Sequence, residues 1–238
     1  MQNTSASHSS IRNSSKCPII LCPTVLTETT LLDHLVSEHK NIDIKSVNDG
    51  EKAQLSFRES IFPYGQPVCM GLLLYGGKGT HLRPVQTGLA HRNSILSASC
   101  AAFEKHLPVM VMGCKTHLTD MLEDDDIPPE MFNDICQERE AAQDGSDPEQ
   151  DIFVLWLIAP STTRPVYGDL TISDAERNVV RGCRMLVREF QKWLLPKTFL
   201  SEGMDYLMVN RGEMNLLTRG DESDLEMEVC IEEGKMEV

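Results

Sequence analysis

Two cysteines and two histidines, Cys17, Cys22, His34 and His39, stand in the order C-x4-C-x11-H-x4-H close behind the N-terminus. These residue types suit a structural zinc: two thiolates neutralise a dication, and two imidazoles from one helix complete a tetrahedral N/S set. Both the cysteine and the histidine spacing fall within the finger pattern, while the stretch between the pairs is one residue shorter than usual. Metal: Cys17, Cys22, His34 and His39, with one structural zinc, is therefore the expectation, and no catalytic set is expected. So small a module cannot build a full core of its own, so Leu31 and Leu35 are expected to supply a miniature one.

Other chemistry-bearing stretches read more plainly. "GLLLYGGKGTHLRP" lacks the phosphate-loop pattern, because Leu72 stands where the first glycine is needed and Gly79 follows Lys78. Cys114 near His117, and Cys100 near His106, raise the question of a thiol hydrolase, but a nucleophile needs a base held across the fold, which sequence neighbours do not supply. They read as buried strand cysteines. The acidic run Asp124 to Asp126 reads as a solvated surface, with a divalent ion as its alternative.

The elements that must position the four ligands follow from patterning. "MQNTSASHSSIRNSSK", residues 1–16, is a polar tail expected to be disordered, without the apolar core of a leader peptide. In residues 17–40, "CPIILC" fits a turn and "TETTLLDHLVSEH" a helix, with Thr27 as N-cap, Glu28 at the positive end of the dipole and an end near His39. From about Ala53 the period changes to two. "AQLSFRESIF", "PVCMGLLLYGG", "HLPVMVMGCKT" and "DIFVLWLIAP" read as strands bounded by turn residues. "VYGDLTISDAERNVVRGCRMLVREF" reads as two strands around an Asp174–Asn178 turn, although its second half also fits a helix. "FLSEGMDYLMVNRGEMNLL" opens on a short helical or irregular element, and "LEMEVCIEE" alternates apolar and acidic residues as a half-buried strand.

Short strands without βα alternation imply a mainly β fold, an antiparallel sandwich over residues 50–233 preceded by the Cys2His2 module. An acidic stretch, residues 119–150, reads as a long surface loop with one helical turn around Met131 to Gln137. Residues 78–92 form its basic counterpart.

Composition narrows the function classes. The chain has 238 residues, 41% hydrophobic, and a formal net charge of −14. That balance disfavours wholesale binding to a phosphate backbone, which depends on cationic side chains displacing counterions. Eight cysteines, scattered singly apart from Cys17 and Cys22, read as reduced thiols of a cytoplasmic or nuclear protein. No apolar run approaches the roughly 20 residues of a membrane span, so no membrane partner is expected.

This order of parts resembles the substrate-binding region of the seven-in-absentia (Siah) ubiquitin ligases, where zinc fingers precede a TRAF-like β-sandwich. The residues that carry the likeness are "CPIILC…HLVSEH", "AQLSFRESIF", "PVCMGLLLY", "LPVMVMGC", "DIFVLWLIAP" and "LEMEVCIEE". It is closer still to a family of insect proteins that share one domain of unknown function with that layout. The resemblance implies a non-enzymatic adaptor that binds a protein or an extended peptide along a sheet edge. It carries Cys17, Cys22, His34 and His39 onto a finger's four ligands. The chain departs from Siah in lacking the Cys/His-rich RING segment, and from TRAF proteins in lacking a heptad run. The alternative is a nucleic-acid-associated regulator that uses the finger and the basic residues 78–92.

Overall fold

The computed structural model describes residues 14–19, 21–78, 87–94, 96–98, 100–117, 150–191, 205–220 and 222–234. In chain order, β1 (Ser14–Lys16) and β2 (Val25–Thr27) form a small antiparallel pair, followed by helix α1 (Leu31–Glu38). Then come β3 (Ile44–Val47), β4 (Lys52–Phe57), β5 (Val68–Tyr75), β6 (Leu107–His117), β7 (Asp151–Ala159), β8 (Val166–Ser173), β9 (Val180–Leu186), β10 (Arg188–Glu189) and β11 (Leu207–Asn210). Helix α2 (Arg211–Thr218) and β12 (Leu225–Glu233) close the series.

The fold is mainly β. Two sheets face each other, one of six strands in the order β10-β7-β6-β5-β3 with β11 also on β7, and one of four in the order β4-β12-β8-β9. Most pairings are antiparallel, but β3 runs parallel to β5 and β10 parallel to β7, so the larger sheet is mixed.

The two sheets carry different sequence patterns for a physical reason. β4 and β12 alternate strictly between buried and solvated residues, as strands covered on one face do. β6 and β7 are almost wholly buried because their sheet is covered on both faces. Phe153, Leu155 and Leu157 enter the core between the sheets, against Leu170, Met227 and Val229. Val154, Trp156 and Ile158 point the other way and pack with Leu31, Leu32 and Leu35 of α1. The Cys/His module therefore lies flat on the larger sheet and shares a core with it, which exceeds the miniature core of Leu31 and Leu35 expected from its sequence.

The β-hairpin reading of residues 166–190 holds, and the helical alternative does not: β8 and β9 pair in continuous register from Tyr167 opposite Leu186 to Ser173 opposite Val180. Two local expectations need correction. The N-cap of α1 is Thr30, not Thr27, because Thr27 ends β2 and is tied to Thr30 by a compact turn in which each accepts a bond from the other. Glu28 does not serve the helix dipole either; it is buried and accepts hydrogen bonds from the backbone N–H and hydroxyl of Ser161. The short helical or irregular element expected at the opening "FLSEGM" lies outside the described residues, and the rest of that segment forms β11 and α2, whose N-cap Asn210 and third residue Glu213 form a reciprocal capping box. Of the acidic stretch 119–150, residues 119–149, which include the turn expected at Met131 to Gln137 and the Asp124 to Asp126 run, lie outside the described residues, as do residues 79–86 of the basic stretch.

Candidate metal centre

The knuckle that carries the two cysteines is closed by backbone bonds from Cys17 N–H to Thr24 C=O at 2.9 Å and from Cys22 N–H to Ile19 C=O at 3.2 Å. Leu21 adopts φ +64° to complete the reversal, and the pairing of Lys16 with Val25 holds its base. His34 projects from α1, and five residues on an ideal helix would turn His39 about 140° away from it. The helix stops at Glu38 instead. His39 becomes its C-cap at φ −113° and ψ 61°, still donating its backbone N–H to Leu35 C=O, and this departure brings its ring back beside His34.

The four ligand atoms converge. Cys17 Sγ lies 3.4 Å from His39 Nε2, Cys22 Sγ lies 3.4 Å from His34 Nε2, and the two Nε2 atoms are 3.1 Å apart. All four fall within 4.8 Å of one another. Tetrahedral metal–sulfur and metal–nitrogen bonds of about 2.3 and 2.0–2.1 Å place such atoms about 3.3–3.8 Å apart, so the set fits one ion. Hydrogen bonding alone accounts for it poorly. Each Nε2 offers either one lone pair or one hydrogen, yet each faces a sulfur and the other Nε2 at once. A cation at the centre satisfies all four.

The local electrostatics describe what metal binding must overcome. Burial pushes the Cys17 thiol up to about 12, against an opposing pull from the Ile19 backbone N–H. The hydrogen bond from Thr24 holds the partly buried Cys22 thiol below its usual range. Burial, followed by the charge of His39, lowers His34, which favours the neutral imidazole a metal requires. A cleft of about 520 Å³ lined by Leu21, Pro23, Thr24, Glu38 and the ligands Cys22, His34 and His39 opens this side to solvent, while Cys17 faces the sheet.

Other sequence candidates are dispersed. Cys114 and His117 occupy opposite faces of β6: Cys114 joins the core beneath α1, and His117 Nε2 bonds Asp151 Oδ1 at 3.0 Å. Cys100 is buried. Lys78 Nζ lies 3.9 Å from Asp49, and Arg92 lies 3.4 Å from Glu104, so these described cations of the basic stretch stand beside acids.

Sequence reasoning missed one charged cluster. Buried Asp151 receives Lys115 at 3.1 Å, Arg211 at 2.8 Å and His117, and Arg211 also pairs with Glu59. An acid heading the apolar run "DIFVLWL" is the one signal that could have pointed to it, since a buried carboxylate needs cationic company.

A profile for a domain of unknown function, DUF4729, matches residues 16–220. The chain belongs to this family. The match takes in the four candidate ligands, both sheets as far as β11, and α2. No curated protein matches the chain.

Proposed function

We propose that this DUF4729 chain is a non-enzymatic protein-interaction module, an adaptor whose β-sandwich binds an extended segment of a partner and whose Cys2His2 site holds one structural zinc. The observation that carries this reading is the burial of Leu31, Leu32 and Leu35 against the larger sheet. A finger that reads DNA must offer its helix to the major groove. Here the apolar face of α1 is engaged with the sheet, and its last turn contains no basic residue. The net charge of −14 likewise suits a protein partner better than a phosphate backbone.

Zinc is the preferred ion because a closed S2N2 tetrahedron is its usual structural set. The TRAF-like character of the sandwich rests on the resemblance to seven-in-absentia ligases, and so does the expectation of an extended ligand. The seven described cysteines form no disulfide with one another, which suits a reducing compartment, cytoplasm or nucleus. Among the described residues, no helix is long and apolar enough to cross a membrane.

The test combines metal analysis with affinity purification of the tagged chain from its own cell type, with and without nuclease. About one zinc per chain and partners that persist after nuclease are expected. A stable chain without metal sinks the zinc site, and loss of every partner with nuclease favours the nucleic-acid reading.

A further inference from the structure

The two candidate thiolate ligands differ in their surroundings. Cys17 is buried and joins the core that α1 shares with the larger sheet. Cys22 is only partly buried and, with His34 and His39, lines the cleft of about 520 Å³ that opens between the knuckle and the end of α1. Its chain neighbour Leu21 is 97% exposed, so no packed side chain closes the knuckle at that point. A small polar solute entering the cleft therefore meets the Cys22 sulfur before that of Cys17.

The two sulfurs are also close enough to react with each other. They lie within 4.8 Å, and a disulfide needs about 2.05 Å, so an approach of less than about 3 Å closes the bond. Both residues belong to one reversal, fastened by the bonds from Cys17 N–H to Thr24 C=O and from Cys22 N–H to Ile19 C=O. Moving together takes each sulfur away from its histidine, Cys17 from His39 and Cys22 from His34, each now 3.4 Å distant. Since the thiolate is the form that binds metal, a disulfide leaves two imidazoles as the remaining ligands of the set.

We infer that Cys22 is an oxidation site: hydrogen peroxide reaches it through the cleft, Cys17 resolves the product to a disulfide, and the metal is released. The Cys22 thiolate attacks one peroxide oxygen and breaks the O–O bond, giving a sulfenic acid and hydroxide. The Cys17 thiolate then attacks the Cys22 sulfur, the S–O bond breaks, and a second hydroxide leaves. Each hydroxide takes a proton from solvent, so the two thiolates give up two electrons and peroxide becomes two waters. This inference rests on the zinc reading and names the regulation of that site.

The consequence for the fold follows from where the new bond lies. It joins two residues of the same knuckle, whereas the ion would join the knuckle to His34 and His39 of α1. The disulfide cannot replace that tie, so oxidation acts on α1 as chelation does.

The test treats the full, metal-loaded chain with an excess of hydrogen peroxide and follows zinc with a chromogenic chelator. Tryptic peptide 17–40 carries Cys17 and Cys22 and no other cysteine, so its mass reports the disulfide directly. Release of about one zinc per chain in step with that disulfide is expected, with recovery on adding dithiothreitol and zinc. The thermal midpoint falls by about 8–16 °C, as on chelation. A sulfenic-acid trap present from the start labels Cys22 ahead of Cys17. Cys22→His offers four metal ligands but no partner for Cys17, and slows release by about tenfold or more. If that variant binds no metal, the peptide mass and trapping order in the unsubstituted chain decide the matter.

Zinc that stays bound under peroxide, zinc lost without the Cys17–Cys22 disulfide, or a trap that labels Cys17 first each overturn the inference and leave the zinc reading standing. A chain that holds no metal before peroxide is added overturns both.

Discussion

Removal of the metal should destabilise the whole sandwich and not the finger alone. Leu31, Leu32 and Leu35 are fully buried against Trp156 and its neighbours, and burial of a leucine contributes about 1.5–3 kcal/mol. The finger therefore shares roughly 5–9 kcal/mol of apolar burial with the sheet, and that contribution requires α1 to stay in place. A free zinc concentration near 1,000 times its dissociation constant stabilises the folded state by about 4 kcal/mol. At about 2–4 °C per kcal/mol for a domain of this size, chelation or a His39→Ala substitution should lower Tm by about 8–16 °C in a single transition.

Calorimetry with and without chelator measures the shift. Fluorescence tells where it occurs, because Trp156 lies beneath α1 and a Trp193→Phe background removes the only other tryptophan. Trp156 should report the same midpoint as far-ultraviolet circular dichroism. An early finger transition that leaves Trp156 and the sheets unchanged would refute the shared-core argument.

Four further perturbations probe separate parts of the fold. Burial lowers His106, whose Nδ1 is also buried without a hydrogen-bond partner among the described residues. Its contribution to stability is present above the ordinary histidine value and is lost as pH falls through the depressed folded value. Urea midpoints of His106→Phe should accordingly fall less steeply than wild type between pH 7.5 and 5, taking about 6.5 as the ordinary value. Asn210→Ala removes the capping box of α2 and should cost about 1 kcal/mol in urea unfolding. Gly168→Ala places a Cβ 2.1 Å from Leu157 Cδ1 in the inter-sheet core and should cost about 1–3 kcal/mol by overpacking. Asp151→Ala strands Arg211 and Lys115 in a largely buried site and should cost about 3–5 kcal/mol, with the sheet's thermal midpoint as the readout.

Much of this architecture was legible because period and punctuation agree locally. The alternation of "LEMEVCIEE" is the alternation of β12, and the Asp174–Asn178 turn separates β8 from β9. The four candidate ligands were legible from spacing, and the structure brings their atoms together. Other features were not, for definite reasons. Strand β3 has no pattern of its own, "IKSV", and is fixed by parallel pairing with β5. β10 is two residues long and exists because the chain crosses from one sheet to the other after Leu186. The N-x-x-E start of α2, Asn210 to Glu213, was readable as a capping box. The strand-like "YLMV" immediately before it obscured that signal.

The double burial of β6 and β7 bears on the finger's role. An uncovered sheet face bearing Met110, Met112, Val154, Trp156 and Ile158 would be an apolar patch of the kind that draws partners or aggregates. α1 covers part of it, but at eight residues it is shorter than an isolated helix needs to be stable in water. Helix and sheet therefore depend on each other, and an ion held by the four candidate ligands would tie the far end of the helix to the β1–β2 knuckle. A metal ion held there would stabilise the scaffold, and under the proposed interaction reading recognition belongs to the sandwich. Cys17→Ala should accordingly reduce partner retention in the affinity purification only in proportion to the fraction of chain unfolded, and a loss of partners from chains that remain fully folded would refute this division of roles.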